Sequence, residues 1–382
     1  MTREKPHQVA VLRGLQFTGN AMFSLLVVCM PLYFAELGFS RLEIGSVYAM
    51  GPLMATVSNL LLGLVADKAK SIRLLLGILF LCQIAVFLAL APLRQFAAIA
   101  ALMGAFYFFQ APAPPMVDSL SLLASDRLGR SFASIRVFAS IGFALCAVLY
   151  GYLYAEFGSP VVVPAGCLTA AAALAFVPFL GNFQANLRRF DFSELWGILK
   201  QRKTVLFFVL VWLVSVPHRV NESFLSLRMQ EIGGQGLVGW LWLIASASEI
   251  PVMLLLARFG HRLKELPLLS AAAFFYMVRM LLTSVSDSPW AILAISLLHS
   301  VTFGIFYVTS MRFMTHLLPD QFRATGQALF VTVWVGLGGL FTGPMAGWLY
   351  DTFGAAAPFL LGAGTSLTAA IGFLYAHVRG YS

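Results

Sequence analysis

Twelve apolar runs recur along this chain with short polar turns between them: 10–35, 43–66, 73–92, 95–124, 134–156, 160–181, 204–229, 236–258, 266–286, 289–315, 323–350 and 354–378. A helix needs about 20 mostly apolar residues to cross a bilayer. No water is available there to satisfy exposed backbone groups, so a run of this length can only be a helix or part of a closed barrel. The ten-residue alternation of a barrel strand does not appear, which leaves helices. The expected fold is an all-α membrane protein with twelve transmembrane helices. Composition agrees: hydrophobic residues make up 60% and charged residues 11%, a balance no water-soluble chain of this size would carry.

The formal net charge of +9 invites a nucleic-acid or anionic-partner reading, but the placement of the charges decides against it. Lys68, Lys70, Arg73, Arg127, Arg130, Arg188, Arg189, Lys200, Arg202, Lys203, Arg258, Arg262, Lys264, Arg312 and Arg323 fall in the even-numbered connections. Arg41, Arg94 and Arg228 fall on the other side. This is the positive-inside asymmetry, with both termini cytoplasmic in a bacterial inner membrane. The basic balance thus reports topology, and the expected partners are the bilayer and a small-molecule solute, with no nucleic acid. The charged start before the first apolar run is taken as part of the first span, because the run is too long for a leader and lacks a small-residue cleavage pattern. Cys29, Cys82, Cys146 and Cys167 lie in apolar spans without paired spacing, so neither a disulfide framework nor a metal site is indicated.

The halves repeat. Gly151-Tyr-Leu-Tyr-Ala-Glu-Phe-Gly158 closes the fifth span and Gly347-Trp-Leu-Tyr-Asp-Thr-Phe-Gly354 closes the eleventh, an offset of 196. Gly45-Ser-Val-Tyr faces Gly239-Trp-Leu-Trp, and Ser125-Asp126 faces Pro319-Asp320, both at an offset of 194. Such spacing predicts two pseudo-symmetric six-helix bundles, residues 1–181 and 204–382, joined by a polar, basic linker over 182–203.

Charges set inside the spans mark the candidate site. A charge at membrane depth costs roughly 2.5–3.5 kcal/mol on insertion scales, so it normally faces a partner or a water-filled cavity. Asp118 follows Pro112, Pro114 and Pro115 in the fourth span, where proline frees carbonyls and bends the helix. Arg136, Ser140 and Phe143 sit at i, i+4 and i+7 of the fifth span, so one face offers a cation, a hydroxyl and an aromatic ring. Asn20 interrupts the first span. The seventh carries His218, Arg219, Asn221 and Glu222, with Glu222 in reach of either His218 or Arg219. This group lines water at mid-span or, if the boundary shifts, forms a wet helix end. Glu249, Arg279 and His299 lie in the eighth, ninth and tenth spans. The intramembrane charges cancel, with Asp118, Glu222 and Glu249 against Arg136, Arg219 and Arg279. One added proton would unbalance the set, a physical route from protonation to conformation. The glycines of the eleventh span, Gly336, Gly338, Gly339 and Gly343, are read as close helix packing.

Two motifs carry a resemblance. Gly63-Leu-Val-Ala-Asp67-Lys68-Ala-Lys70 after the second span resembles the cytoplasmic signature of the major facilitator superfamily, with Lys70 where its second glycine usually stands. Ser134-Ile-Arg136-Val-Phe-Ala-Ser-Ile-Gly142-Phe143-Ala-Leu-Cys-Ala147 resembles the fifth helix of the lactose permease group of proton symporters. In that group an acid also stands eighteen residues before the arginine, where this chain has Asp118. The resemblance implies the major facilitator fold, bundles around a central cavity, and alternating access. It places Glu249, Arg279 and His299 on sugar-binding and proton-coupling positions.

Several residues depart from lactose permease: Thr302 replaces its proton-carrying glutamate, His218 and Asn221 stand near its seventh-helix aspartates, Phe143 replaces its tryptophan, and its eleventh-helix lysine is missing. These look more like the phenylpropionic acid transporter branch. The expectation is a secondary transporter working by symport, in which a proton accompanies an aromatic or other small carboxylate, or an oligosaccharide. A proton-antiport exporter of drugs or metabolites is the alternative. Asn20, Asp118, Arg136, Ser140, Phe143, His218, Asn221 and Glu249 are the expected solute-binding residues, and Glu222, Glu249, Arg279 and His299 the proton-coupling ones. Gly63, Asp67 and Lys68 form the conformational motif. No cofactor beyond the proton is expected, sodium is the other conceivable coupling ion, and a monomer is assumed. No nucleophile–base pair, nucleotide loop or metal spacing supports an enzyme.

Overall fold

The structure, a computed structural model, describes residues 4–68, 72–128, 132–181, 200–259, 263–317, 326 and 329–381. It is built of helices in chain order: α1 (His7–Glu36), α2 (Arg41–Lys68), α3 (Ile72–Leu90), α4 (Phe96–Ala124), α5 (Ser134–Phe157), α6 (Ser159–Phe179), α7 (Arg202–Glu231), α8 (Gln235–Leu256), α9 (Glu265–Val285), α10 (Pro289–Met314), α11 (Leu329–Phe353) and α12 (Ala357–Val378). Eleven of them, all but α2, are long and apolar enough among the described residues to cross a membrane. With the 28-residue α2 the set matches the twelve expected spans. The protein is a multi-pass, all-α membrane protein. Of the expected linker, residues 182–199 lie outside the described residues. So do the side chains of Gly63, Asp67 and Lys68, whose backbone forms the end of α2.

Helix ends follow from residue chemistry. Gly158 and Gly354 close α5 and α11 with φ of +68° and +88°, a region where a β-carbon is strained. In each, the glycine N–H donates to a tyrosine carbonyl four residues back, Tyr154 at 2.9 Å and Tyr350 at 3.0 Å. The sequence repeat is therefore a repeat of helix caps. It extends to side chains: the Tyr154 hydroxyl donates to Glu36 at 2.7 Å, and the Tyr350 hydroxyl donates to Glu231. Helix α4 is interrupted as expected, with regular helix over Phe96–Gln110 and again from Ala113. Pro112, Pro114 and Pro115 lack the N–H groups that would reach the carbonyls of Phe108, Gln110 and Ala111. The neighbouring Phe109 carbonyl takes a bond from Gln83 Nε2 at 3.3 Å.

Two compact units emerge. The first joins Met1–Phe39, Leu53–Arg188 and Gln235–Leu243; the second joins Ser40–Pro52, Arg189–Gly234 and Ile244–Ser382. The first is cored by Leu12, Leu15, Leu76, Leu79, Val117 and Ile135. The second is cored by Val211, Leu269, Tyr276, Phe306, Trp334 and Phe373. Outward-facing residues such as Leu74, Leu88, Leu145, Leu168, Leu254 and Ile371 are more than half exposed, an apolar surface of the kind lipid covers.

The start of α2 belongs to the second unit and the start of α8 to the first, because glycines let backbones touch. Within the second unit a β-carbon on Gly45 would overlap the Gly343 carbonyl, and one on Gly347 would overlap the Arg41 carbonyl. Within the first, a β-carbon on Gly239 would collide with the Ala147 carbonyl, and one on Gly151 with the Gly239 backbone. The α2–α11 contact carries charge as well. Arg41 pairs with Glu231 at 2.8 Å, and the Asp351 carboxylate caps α2 by accepting the N–H groups of Arg41 and Leu42 at 3.0 and 2.8 Å.

Candidate functional site

In the first unit the break in α4 is followed one turn later by Asp118. Its Oδ1 accepts Arg136 Nε at 3.2 Å and Gln16 Nε2 at 2.7 Å. The two charged side chains are 38% and 41% exposed, so the pair is accessible in a bundle otherwise apolar. Gln16 also reaches Ser121 Oγ at 3.3 Å, and Asn20 bonds back to the Gln16 carbonyl at 3.3 Å. Gln16, Asn20, Gln83, Gln110 and Thr169 line one cleft among α1, α3, α4 and α6, a concentration of amide donors and acceptors. Ser140 is exposed one turn beyond Arg136. The Phe143 ring sits 5.9 Å from Phe23 and 6.3 Å from Trp242, in a small aromatic group.

The second unit holds a denser cluster. Glu222 contacts Arg219 and also lies 3.5 Å from His218 Nε2, so both expected pairings occur together. His218 Nδ1 meets the Tyr276 hydroxyl at 3.2 Å. His299 bridges Glu249 and Arg279: Nε2 lies 3.0 Å from Glu249 Oε1, and Nδ1 lies 2.8 Å from Arg279 Nη1. An arginine only donates, so Nδ1 must accept, and the neutral ring carries its proton on Nε2, where it donates to Glu249. Arg279 Nη1 lies 3.4 Å from Thr302 Oγ1. A second proton on Nδ1 would set donor against donor, so protonating His299 and keeping its bond to Arg279 exclude each other.

His218 and Asn221 are buried at mid-helix in α7, which removes the wet-end reading. Asn221 is 4% exposed, and neither atom of its amide has a hydrogen-bond partner among the described residues. Such a buried orphan typically costs about 1–3 kcal/mol.

Four contributors escape sequence reading. Gln16 is signalled only by its i, i+4 spacing from Asn20. Tyr276 lies one turn before Arg279 in an apolar span. Phe303 and Trp334 sit in wide π-helical turns, Ser300–Gly304 and Thr332–Leu337, which no 3.6-residue pattern reveals. The Phe303 ring stacks on His218 at 4.9 Å and on His299 at 5.3 Å, and Trp334 tilts against His218 at 5.0 Å. π-turns recur at functional sites, and here they press rings onto both histidines.

The comparisons agree with this architecture. The MFS_1 like family matches residues 10–361. This chain belongs to that family and so to the major facilitator superfamily. It is 28% identical over 352 residues to the maltose permease of Geobacillus stearothermophilus, covering 90% of this chain and 87% of the relative. It is 25% identical over 328 residues to the putative nucleoside transporter YegT of Escherichia coli K12, covering 81% and 76%. Among solved structures, the nucleoside transporter NupG superposes with a TM-score of 0.85 at 18% identity over 96% of this chain and 98% of that one, a likeness of fold. The facilitator is thus a membrane transporter. The matches establish the superfamily; they do not establish the lactose permease or phenylpropionic acid branch.

Proposed function

We propose that this facilitator moves a small, neutral, polyhydroxylated solute, a sugar or a nucleoside, by alternating access, and that a proton moves with it. The observation that carries the substrate class is that each arginine at membrane depth is already occupied: Arg136 by Asp118, Arg219 by Glu222, and Arg279 by His299 and Thr302. A carboxylate solute would therefore meet cations whose charge an acid already balances, and would bring an uncompensated negative charge into the site. A hydroxylated solute finds in the accessible Asp118–Arg136 pair an acceptor and a donor side by side, with the Gln16 amide bonded to Asp118 and Asn20 one turn further along α1. Maltose permease and the nucleoside transporters handle solutes of this class by name, which supports the reading. Ser140 and Phe143 extend the same face of α5.

Calorimetry on the purified protein with maltose, trehalose, uridine and 3-phenylpropionate tests this. Binding is expected for a sugar or nucleoside, and Asp118→Asn or Arg136→Gln should weaken it by about 10- to 100-fold, the loss of one charge-assisted hydrogen bond. Binding of phenylpropionate with the polyols silent would overturn the substrate class.

Proton linkage is assigned to Glu249, His299 and Arg279, with Glu222 beside them, because the His299 proton and the Arg279 bond compete for Nδ1. We assign both termini to the cytoplasmic side of a bacterial inner membrane, so that uptake means solute and protons entering the cell together. In proteoliposomes an inward proton gradient should drive solute accumulation, while Glu249→Gln should keep solute counterflow and lose accumulation. Solute leaving as protons enter would instead make the protein an antiporter, and uptake indifferent to the gradient would remove the proton altogether.

A further inference from the structure

A second cation, outside the site above, sits in an apolar groove on the lipid side of the first unit. Ala10, Arg13, Gly14, Phe17, Phe138 and Phe176, from α1, α5 and α6, line an open groove of about 430 Å³. Helix α1 lacks a side chain at Gly14, and a β-carbon there would overlap the Phe176 ring, so the α6 aromatic lies directly on α1 as one wall. Phe138 forms the other. Its guanidinium neighbour, Arg13, lies 4.9 Å from the Phe138 ring centre, and Arg13 Nε donates to the Ser134 carbonyl at 3.1 Å. These two contacts hold the guanidinium plane, and Arg13 forms no ion pair among the described residues.

The groove looks away from the solute face. Phe138 is two residues from Arg136, about 200° around α5. It flanks Val137, Ile141 and Leu145, an exposed apolar row. Depth is set by helix length: α1 has 30 residues, about 45 Å, against a hydrocarbon core of about 30 Å. Arg13 is six residues from His7, about 9 Å along the axis, which puts it where headgroups meet acyl chains.

We propose that this groove binds one anionic phospholipid from the leaflet at the N-terminal end of α1, with the headgroup phosphate on Arg13 and an acyl chain against Phe17, Phe138 and Phe176. A fixed guanidinium is a bidentate donor to phosphate oxygens, and basic pockets between transmembrane helices are lipid headgroup sites. The three rings supply the apolar body that a free phosphate would not use.

The test is thermal unfolding and lipid titration of the full chain in detergent, with dioleoyl phosphatidylglycerol against dioleoyl phosphatidylcholine. Wild type should be stabilised more by phosphatidylglycerol. Arg13→Gln should lose that difference, with about tenfold weaker phosphatidylglycerol binding, while Arg13→Lys keeps part of it and Arg94→Gln, a basic side chain elsewhere, keeps all. The proposal is overturned if wild type shows no preference between the lipids, if Arg94→Gln loses as much as Arg13→Gln, or if glycerol phosphate alone reproduces the shift. The wild-type arm decides even if Arg13→Gln does not fold.

Discussion

Arg279→Ala is expected to destabilise the protein by about 3–5 kcal/mol, seen as a lowered midpoint of thermal unfolding in detergent, and Glu249→Gln added to it should restore most of the loss. The arginine is 2% exposed. Its charge is balanced by Glu249 through the His299 ring, which bonds to both. Removing the cation alone leaves a carboxylate in a poorly solvated site with only a neutral imidazole for company, and an unpaired buried charge costs far more than the pair is worth. Neutralising both ends removes that penalty and leaves a polar network of ordinary strength. Simple addition of the two single-mutant losses in the double mutant would show that the residues act independently, and the charge-balance account would fail.

The second large effect belongs to Gly45. A leucine there should reduce solute counterflow by roughly 5- to 150-fold while the protein still inserts and purifies. A β-carbon would run into the Gly343 carbonyl, a backbone atom that no rotamer change moves aside. Overpacking of this kind costs about 1–3 kcal/mol, and it falls only on the arrangement in which α2 and α11 touch, so it shifts the equilibrium between conformations by roughly 5- to 150-fold. Gly45→Ala should be intermediate. Gly364→Leu on α12, where a β-carbon meets nothing within 4 Å, is the matched control. Unchanged counterflow in Gly45→Leu would mean that the contact is not part of the working cycle.

How much of this was readable beforehand depends on the kind of signal. Helix existence was legible because a bilayer imposes a length on every crossing segment, and the predicted spans agree with the observed helices within three residues, apart from the predicted start of the eleventh at 323, which lies outside the described residues. The α4 interruption was legible because proline chemistry is local. Charged members of both clusters stood out because ionisable groups in apolar runs are expensive, whereas the bridging of Glu249 and Arg279 by His299 emerged only from the structure. Phe303 and Trp334 stayed hidden because an aromatic ring in a membrane span looks like any other, and the wide turns that aim these two at the histidines leave no trace in a 3.6-residue period. Gln16 was missed since an amide carries no formal charge, although it makes the shortest hydrogen bond to Asp118. The Tyr154–Glu36 and Tyr350–Glu231 pairs were half visible: the tyrosines fall in the repeat, and the glutamates recur too, in Glu36-Leu-Gly38 and Glu231-Ile-Gly233, but that each meets its tyrosine appears only in three dimensions.

The two glycine seams have the same backbone geometry and different chemistry. At α2–α11 the contact is tied by Arg41, Glu231 and the Asp351 cap, with Arg41 and Glu231 24% and 31% exposed. At α5–α8 it rests on Gly151, Gly239 and Ala147 in direct backbone contact. Dissolved ions shorten the reach of exposed charges to about 8 Å at physiological strength and about 3 Å at 1 M, and they leave van der Waals contact untouched. A brine would therefore weaken the α2–α11 contact and leave the α5–α8 contact as it is, so that two seams alike in backbone have come to answer differently to salt.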